Sequence, residues 1–338
     1  MTFKTFSKSF LFVSFFFISS FAFFNYFINP YHIFNHNYFS KSLPLKKHTI
    51  SSRMTIFYRA INSNPQNIIM GTSRAGVFPS TQITKYIQPS IQHLTIPGAN
   101  IEEQSQYLKY VIKKYPLKEI IWSLDFFSFN PDLKNDSSFS YNRVDTSALF
   151  KDDYKTALFS LQTVKNSILT LSDNIKNKKL PKKKTTIEVL NSVSKEEIDI
   201  RTTGQLTYYS QKFLAHTSFN QPNSIQGNID KIKEIINLCK EKNIKLHVYT
   251  SPVHVSFLQL YKTLGLQNTF TAWKKELAKI TPYTDFCTNN TIAKNPYNFI
   301  DGTHLKPRLG KLIFAKIFQD TTVNVPNDFG TYINRDKD

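Results

Sequence analysis

Short apolar runs alternate with segments of helical periodicity from residue 67 to residue 318, and this alternation limits the possible folds strongly. Strands are predicted over 67–71, 92–100, 118–129 and 244–254. Apolar spacing predicts helices over 101–115, 228–243 and 271–280, and a last helix within 301–318. Strands that alternate with helices pair in parallel, so we expect an α/β fold with a doubly wound, mostly parallel sheet.

Residues 131–205 interrupt this alternation and are predicted to form an insertion. Within it, the segment "NIKNKKLPKKK" (174–184) carries six lysines between positions 176 and 184, with a proline among them. A solvated loop or hairpin is the simplest interpretation of such a charge run. Contact with a polyanion is the alternative.

The apolar segment "FLFVSFFFISSFAFFNYFI" (10–28) has 19 residues and no charge. As a helix it would be about 28 Å long, close to the hydrocarbon thickness of a bilayer. Lys4 and Lys8 precede it without any acidic residue, which favours a cytoplasmic N-terminus at 1–9. We therefore expect an uncleaved single-pass anchor. A cleaved signal peptide and a buried core helix are the alternatives.

An anchor of this kind implies a simple domain order. A juxtamembrane connector is expected at 29–62, an α/β domain with the insertion at 63–320, and a C-terminal tail at 321–338. Everything after the anchor would then lie outside the cytoplasm, in the periplasm or at the cell surface.

The chain is strongly basic, with a formal net charge of +19 from 43 Lys+Arg against 24 Asp+Glu. Such a surface favours anionic partners, namely lipid head groups, envelope polymers or nucleic acid. The expected location outside the cytoplasm argues against nucleic acid. Cys239 and Cys287 do not have the spacing of metal ligands, and they could form a disulfide or remain as two buried thiols.

Three polar turns follow predicted strands or precede the last helix. Ser73 follows the first strand, Gly98 follows the second, and Asp301 and His304 share one turn. A serine hydroxyl needs a base within hydrogen-bond reach to become a nucleophile, and the base needs an orienting partner. His304 and Asp301 could supply these, and the Gly98 N–H could stabilise an oxyanion. The alternatives are a structural turn serine and an aspartate that only caps a helix.

The three turns together resemble the SGNH (GDSL-like) hydrolase superfamily. "GTSR" (71–74) is similar to its first motif, "PGAN" (97–100) to its second, and "DGTH" (301–304) to its last. The resemblance implies a three-layer, SGNH/flavodoxin-like fold and a catalytic triad of Ser73, His304 and Asp301. It also implies that Gly98 is an oxyanion donor, and that neither a cofactor nor a metal is needed.

One motif departs from the family pattern. The third family motif, Gly-x-Asn-Asp, supplies an asparagine to the oxyanion, whereas this chain has "SLDF" (123–126) with Asp125 at that place. A carboxylate there would repel an oxyanion. We therefore predict that Asp125 points away and pairs with a cation, with Arg74 as the candidate. Asn100 or Asn130 would then be the second oxyanion donor, and Arg74 is also a candidate contact for substrate.

A narrower resemblance is to DltD-type proteins that accompany membrane-bound O-acyltransferases. It rests on the single anchor helix, the early "GTSR" and the late "DGTH". It implies an integral-membrane acyltransferase as partner and an envelope polysaccharide or teichoic-type polymer as acceptor. The expected activity is that of an O-acyltransferase or esterase. A non-catalytic scaffold that binds the acyltransferase or an anionic polymer is the alternative, and a secreted lipase-like hydrolase is less favoured because of the anchor.

Overall fold

A computed structural model describes residues 3–36, 53–88, 91–148, 151–177, 186–214 and 217–334. The strands are β1 Asn67–Gly71, β2 Gln92–Thr95, β3 Glu119–Leu124, β4 Lys245–Thr250, β5 Tyr283–Asp285 and β6 Thr331–Ile333. The helices are α1 Phe3–Ile28, α2 Arg53–Ile61, α3 Ser73–Gly76, α4 Ile101–Lys114, α5 Tyr141–Val144, α6 Asp152–Phe159, α7 Leu161–Asn177, α8 Thr186–Asn191, α9 Lys195–Tyr209, α10 Gln226–Glu241, α11 Val255–Thr263, α12 Gln267–Ile280, α13 Thr291–Lys294 and α14 Gly310–Ile317.

The chain divides into two compact units. The first comprises Met1–Ser63 and Ser138–Lys183, and the second comprises Asn64–Ser137 and Lys184–Asp338. The predicted insertion at 131–205 is therefore divided, because its middle part, 138–183, belongs to the first unit and both of its ends belong to the second. Most of its lysine run, from residue 178 to residue 184, lies outside the residues that the structure describes.

The second unit contains a six-stranded sheet with the order β2-β1-β3-β4-β5-β6. The first five strands are parallel, and β6 pairs antiparallel with β5. The predicted α/β fold with a mostly parallel sheet is confirmed. The segment predicted as a tail contributes β6, a three-residue strand that is too short to give a signal of its own.

Alternation along the strands distributes the apolar side chains. Ile69 and Ile121 are fully buried and pack in one cluster with Ile313 and Phe314 of α14. Trp122, the next residue along β3, donates its indole N–H to Gln104 of α4 at 2.9 Å.

β1 pairs with β2 on one side and with β3 on the other. The connections to these two strands therefore run in opposite directions along the sheet. Such a reversal opens a crevice at the carboxyl ends of the strands.

The first unit contains α1 and three helices from the predicted insertion. α1 is long and apolar enough to cross a membrane, and a signal sequence would have the same properties. α2, within the predicted connector, is buried along almost its whole length, so this part of the connector belongs to the packed unit. A bidentate ion pair between Arg143 and Asp153, at 2.7 and 2.9 Å, fixes α5 against α6.

The two cysteines are free and buried. Burial raises the pKa of the Cys239 thiol to about 11. Burial likewise raises the pKa of Cys287 to about 12, with Lys274 opposing the shift. Of the two alternatives that the sequence left open, the structure has the pair of buried thiols.

Candidate active site

The turn after β1 presents Ser73. β1 ends at Gly71, Thr72 caps the short helix α3, and Ser73 is the first residue of that helix. The Thr72 hydroxyl accepts a hydrogen bond from the Arg74 N–H at 3.3 Å. A Cβ on Gly71 would lie 2.8 Å from the Cβ of Ser123 on β3, so a larger residue would force the two strands apart. Gly71 is therefore needed for the close approach that places Ser73 at the end of the sheet.

The turn at 301–304 is closed by its own aspartate. One carboxylate oxygen of Asp301 accepts hydrogen bonds from the N–H groups of Thr303 and His304, at 3.0 and 2.9 Å. The Thr303 hydroxyl donates to the same oxygen at 2.9 Å. The main chain on either side is paired, since the Ile300 N–H donates to the His304 carbonyl at 2.8 Å. These bonds fix the direction of both side chains.

The structure brings Ser73, His304 and Asp301 into one hydrogen-bonded chain. The two oxygens of Asp301 lie 2.8 and 2.9 Å from His304 Nδ1. His304 Nε2 lies 2.8 Å from the Ser73 hydroxyl, which is 231 residues away in the sequence. Because an ionised carboxylate only accepts, Nδ1 carries the hydrogen, and Nε2 accepts from the serine. This is the arrangement in which imidazole can take the serine proton.

Asp301 remains ionised at any ordinary pH. Burial alone would raise the pKa of its carboxyl. The charge of His304 and the hydrogen bonds from His304 and Thr303 outweigh burial and lower the pKa to about 2. The permanent negative charge of the Asp301 carboxylate, next to Nδ1, orients the His304 ring. It also stabilises the imidazolium that forms when the ring takes a proton.

Asp125 binds the residues on both sides of Ser73. One of its carboxylate oxygens lies 3.0 Å from Nη1 of Arg74, and the other accepts from the Thr72 hydroxyl at 2.5 Å. Both members of the ion pair are buried. The predicted pairing of Asp125 with Arg74 is confirmed, and the pair joins the end of β3 to the turn that carries Ser73.

Two adjacent aromatic rings pack against the Arg74 guanidinium. Its central carbon lies 5.3 Å from the ring centroid of Phe127 and 5.3 Å from that of Tyr209. Such stacking stabilises a cation that is removed from water. Burial also raises the pKa of Tyr209, so its phenol stays neutral beside the guanidinium. The Nε and Nη2 atoms of Arg74 have no hydrogen-bond partner among the residues that the structure describes.

Gly98 lies in the loop after β2. Thr95 of β2 is in register with Gly71 of β1, so the loops that carry Gly98 and Ser73 leave adjacent strands at the same edge. Gly98 has a φ of +66°, which favours glycine, and its N–H has no acceptor among the described residues. A Cβ there would lie 3.3 Å from the ring of Phe213. Its main chain is thus in a position consistent with the predicted donor role.

The two predicted asparagine donors are engaged elsewhere. Asn100 caps α4, and both hydrogens of its amide are donated, to the Leu133 carbonyl at 2.7 Å and to Asn135 at 2.9 Å. Asn130 is buried and donates to the Phe213 carbonyl at 2.8 Å. Asn100 is therefore unavailable as a side-chain donor in this structure, and Asn130 holds the segment after α9 in place.

Several residues around the site were not singled out from the sequence. Thr72 and Thr303 lie inside motifs that the sequence does display, so their position beside Ser73 and His304 was a usable signal. Phe127 and Tyr209 carry no such signal, because only the folded chain brings them to Arg74. The described residues contain no group of three or more His, Cys, Asp or Glu side chains that could hold a metal ion.

We expect Asp125→Asn to destabilise the protein. Removing one partner leaves a buried guanidinium without its counter-charge, which costs about 3–5 kcal/mol of unfolding free energy. The control is Glu276→Gln, since Glu276 pairs with Lys279 at a more exposed site, where such pairs are worth about 0–1 kcal/mol. Denaturant unfolding of both variants measures the difference. Equal stability of the two would contradict the role given to Asp125.

The lowered pKa of Asp301 predicts a pH-dependent contribution to stability. Its pKa falls from 3.8 to about 2 on folding, so the contribution is present above 3.8 and is lost as the pH falls toward 2. We expect Asp301→Asn to lower the unfolding free energy near neutral pH by about 2 kcal/mol, and the gap from wild type to close in acid. Unfolding curves of both proteins across this pH range measure it. A gap that stays constant with pH would mean that the charge of Asp301 is not what stabilises the turn.

No protein-family model matches this chain, and no curated protein matches it either. The function is therefore inferred from the residues themselves and from the geometry that joins Ser73, His304 and Asp301.

Proposed function

We propose that this protein is a membrane-anchored, extracytoplasmic acyl-transfer protein of the SGNH type, either an O-acyltransferase or an esterase. The observation that carries the proposal is the hydrogen-bonded chain from Asp301 through His304 to Ser73. The strand order β2-β1-β3-β4-β5 supports a three-layer, doubly wound fold of the flavodoxin-like kind within the second unit.

In the first half of the reaction, His304 Nε2 takes the Ser73 proton while Oγ attacks the acyl carbonyl carbon. The carbonyl π electrons move to oxygen and form a tetrahedral oxyanion. When the intermediate collapses, the bond to the leaving group breaks and Nε2 returns the proton to that group. The product is an acyl ester on Ser73.

Main-chain N–H groups stabilise the oxyanion. Asn100 has no free amide hydrogen, whereas the Gly98 N–H is unpaired among the described residues. Asp125 does not present an uncompensated charge to this region, because Arg74 neutralises it at 3.0 Å. Preorganised N–H groups stabilise the charge that grows in the transition state. Arg74 then acts through Asp125 and the Ser73 turn, and its burial makes direct contact with substrate the weaker of its two candidate roles.

In the second half, an acceptor attacks the acyl-serine. His304 takes a proton from the attacking hydroxyl, the ester bond to Ser73 breaks, and the serine recovers its proton through Nε2. A sugar or polymer hydroxyl gives transfer, and water gives hydrolysis. We place the acceptor in the cell envelope, as a glycan or teichoic-type polymer, because the basic chain suits an anionic surface.

The anchor and the partner complete the proposal. Residues 10–28 of α1 remain in the membrane and residues 1–9 lie in the cytoplasm, following the positions of Lys4 and Lys8. A membrane-bound O-acyltransferase then supplies the acyl group across the membrane. These assignments follow from the family resemblance and from the length and apolar character of α1.

We expect Ser73→Ala and His304→Ala each to lower acyl transfer or hydrolysis by about 10⁴-fold or more, because each removes the same step. The double variant should be little worse than either single variant. Fluorophosphonate labelling and ester hydrolysis measure the effect. Ser192→Ala is the control, since Ser192 is exposed and, among the described residues, its hydroxyl bonds to the Val189 carbonyl alone.

Two results would contradict this reading. Strictly multiplicative losses in the double variant would mean that the two residues act independently. Wild-type protein that folds but does not react with a fluorophosphonate would favour the alternative function, a non-catalytic scaffold that binds an acyltransferase or an anionic polymer.

We expect residues 10–28 to stay attached to the mature chain. Residues 10–28 carry no charge on any side of the helix, and the sequence lacks a good cleavage site after Ala22. N-terminal sequencing of membrane-extracted protein tests this. A mature chain that begins near residue 23 would identify the segment as a cleaved signal peptide.

A further inference from the structure

The polarity of α7 is the reverse of that of an ordinary surface helix. Four polar residues on one side of it are buried, namely Thr163, Asn166, Ser167 and Thr170. The large apolar residues on the other side are exposed, with Leu161 at 82%, Ile168 at 55% and Ile175 at 62%. A helix that packs on a protein core in water normally buries its apolar face. The exposed face of α7 therefore needs a non-aqueous neighbour.

Hydrogen bonds fix this orientation. The Ser167 hydroxyl donates to the side-chain oxygen of Asn25 at 3.0 Å, and the Asn25 amide donates to the Leu158 carbonyl at 2.9 Å. The Asn166 amide donates to the Tyr31 hydroxyl at 2.7 Å. Asn25 is fully buried in the last turn of α1. Rotating α7 to hide its apolar face would leave these buried polar groups unpaired, which is costly.

The exposed apolar residues form one stripe. Leu161, Ile168 and Ile175 are exposed, and the half-buried Val164 and Leu171 lie between them. The five residues follow one another at spacings of three and four residues, which places them on one side of a helix. A helix of 17 residues is about 25 Å long, so the stripe runs along most of it. Phe159, exposed just before α7, extends the stripe by one side chain.

The position of α7 indicates what covers the stripe. Asn25 and Ile28 are the buried residues of α1, so among the described residues the helix packs on the rest of its unit at its last turns. Those turns are where an anchored helix leaves the hydrocarbon. The exposed phenylalanines of α1, including Phe21 and Phe23, continue the apolar surface away from that point. The stripe and the lipid-facing surface of α1 therefore belong to the same unit and meet at the same end of α1.

We propose that α7 lies in the interfacial region of the bilayer that α1 enters, with its apolar stripe against the acyl chains. This goes beyond acyl transfer and rests only on the part of the proposed function that keeps α1 as an anchor. Exposed Lys165 lies beside the stripe, where its long side chain can reach the head groups. A second contact of this kind prevents the first unit from turning about the axis of α1.

Spin labels on the full-length chain test the proposal. Cys239 and Cys287 are first replaced by alanine, and single cysteines are then introduced as Ile168→Cys and Ile175→Cys. Lys155→Cys, at an exposed position on α6, is the water-facing control, and Phe15→Cys in α1 is the lipid-facing control. Each labelled protein is reconstituted into vesicles of phosphatidylethanolamine and phosphatidylglycerol. Electron paramagnetic resonance then measures collision with oxygen, which enters lipid, and with a nickel chelate, which stays in water.

We expect labels at 168 and 175 to show an oxygen-to-nickel collision ratio several-fold above that at 155, approaching the ratio at 15. A ratio equal to that at 155, with a lipid-like value at 15, would overturn the proposal for α7 and leave the anchor intact. Water-like values at all four positions would overturn both. Labels at 168 and 175 that collide with neither reagent would show that protein covers the stripe and would also overturn the proposal. Spin–spin broadening would then identify the covering protein as a second copy of α7.

Discussion

The buried ion pair between Asp125 and Arg74 is the interaction on which the site depends. Asp125 follows the last residue of β3, and through its two oxygens it holds Thr72 and Arg74, the residues before and after Ser73. A charge of this kind is costly to bury alone, so each partner requires the other. The position of the serine relative to the sheet is thereby tied to the position of β3, the strand next to β1 in the ladder. The rest of the triad approaches from a turn far along the sequence.

The parallel sheet explains how such distant pieces meet. The carboxyl ends of adjacent parallel strands lie at one edge, so the loops after β1, β2 and β3 emerge together. The 301–304 turn precedes α14, whose Ile313 and Phe314 pack in the same cluster as Ile69 and Ile121. Packing of α14 against the sheet therefore brings His304 to the edge where Ser73 lies. The triad geometry is a consequence of core packing as much as of local turn chemistry.

The sequence predicted those parts of the structure that depend on local pattern. Spacing and residue type predicted the α/β alternation, the strand that leads into Ser73 and the Asp301–His304 turn. They also predicted the pairing of Asp125 with Arg74. Strand β6 and the packing of Phe127 and Tyr209 against Arg74 were not predicted. β6 has three residues, and Tyr209 lies after the predicted insertion, in a segment for which no strand or helix was predicted. The engagement of Asn100 with Asn135 also depends on a contact that no local pattern indicates. No helix was predicted over α7, and the face that it buries depends on Asn25 of α1, which is far away in the sequence.

The packing of two aromatic rings against Arg74 strengthens the electrostatic attraction between Arg74 and Asp125. Phe127 and Tyr209 exclude water from the guanidinium, so the attraction between Arg74 and Asp125 acts in a low-dielectric region and is screened little. A tight neutral pair presents a dipole to its surroundings in place of a net charge. A developing oxyanion beside the Ser73 turn would then not be repelled by a bare carboxylate, even though Asp125 stands where the resemblance implies an asparagine. Asp125 is thus compatible with the proposed acyl transfer, because Arg74 compensates its charge.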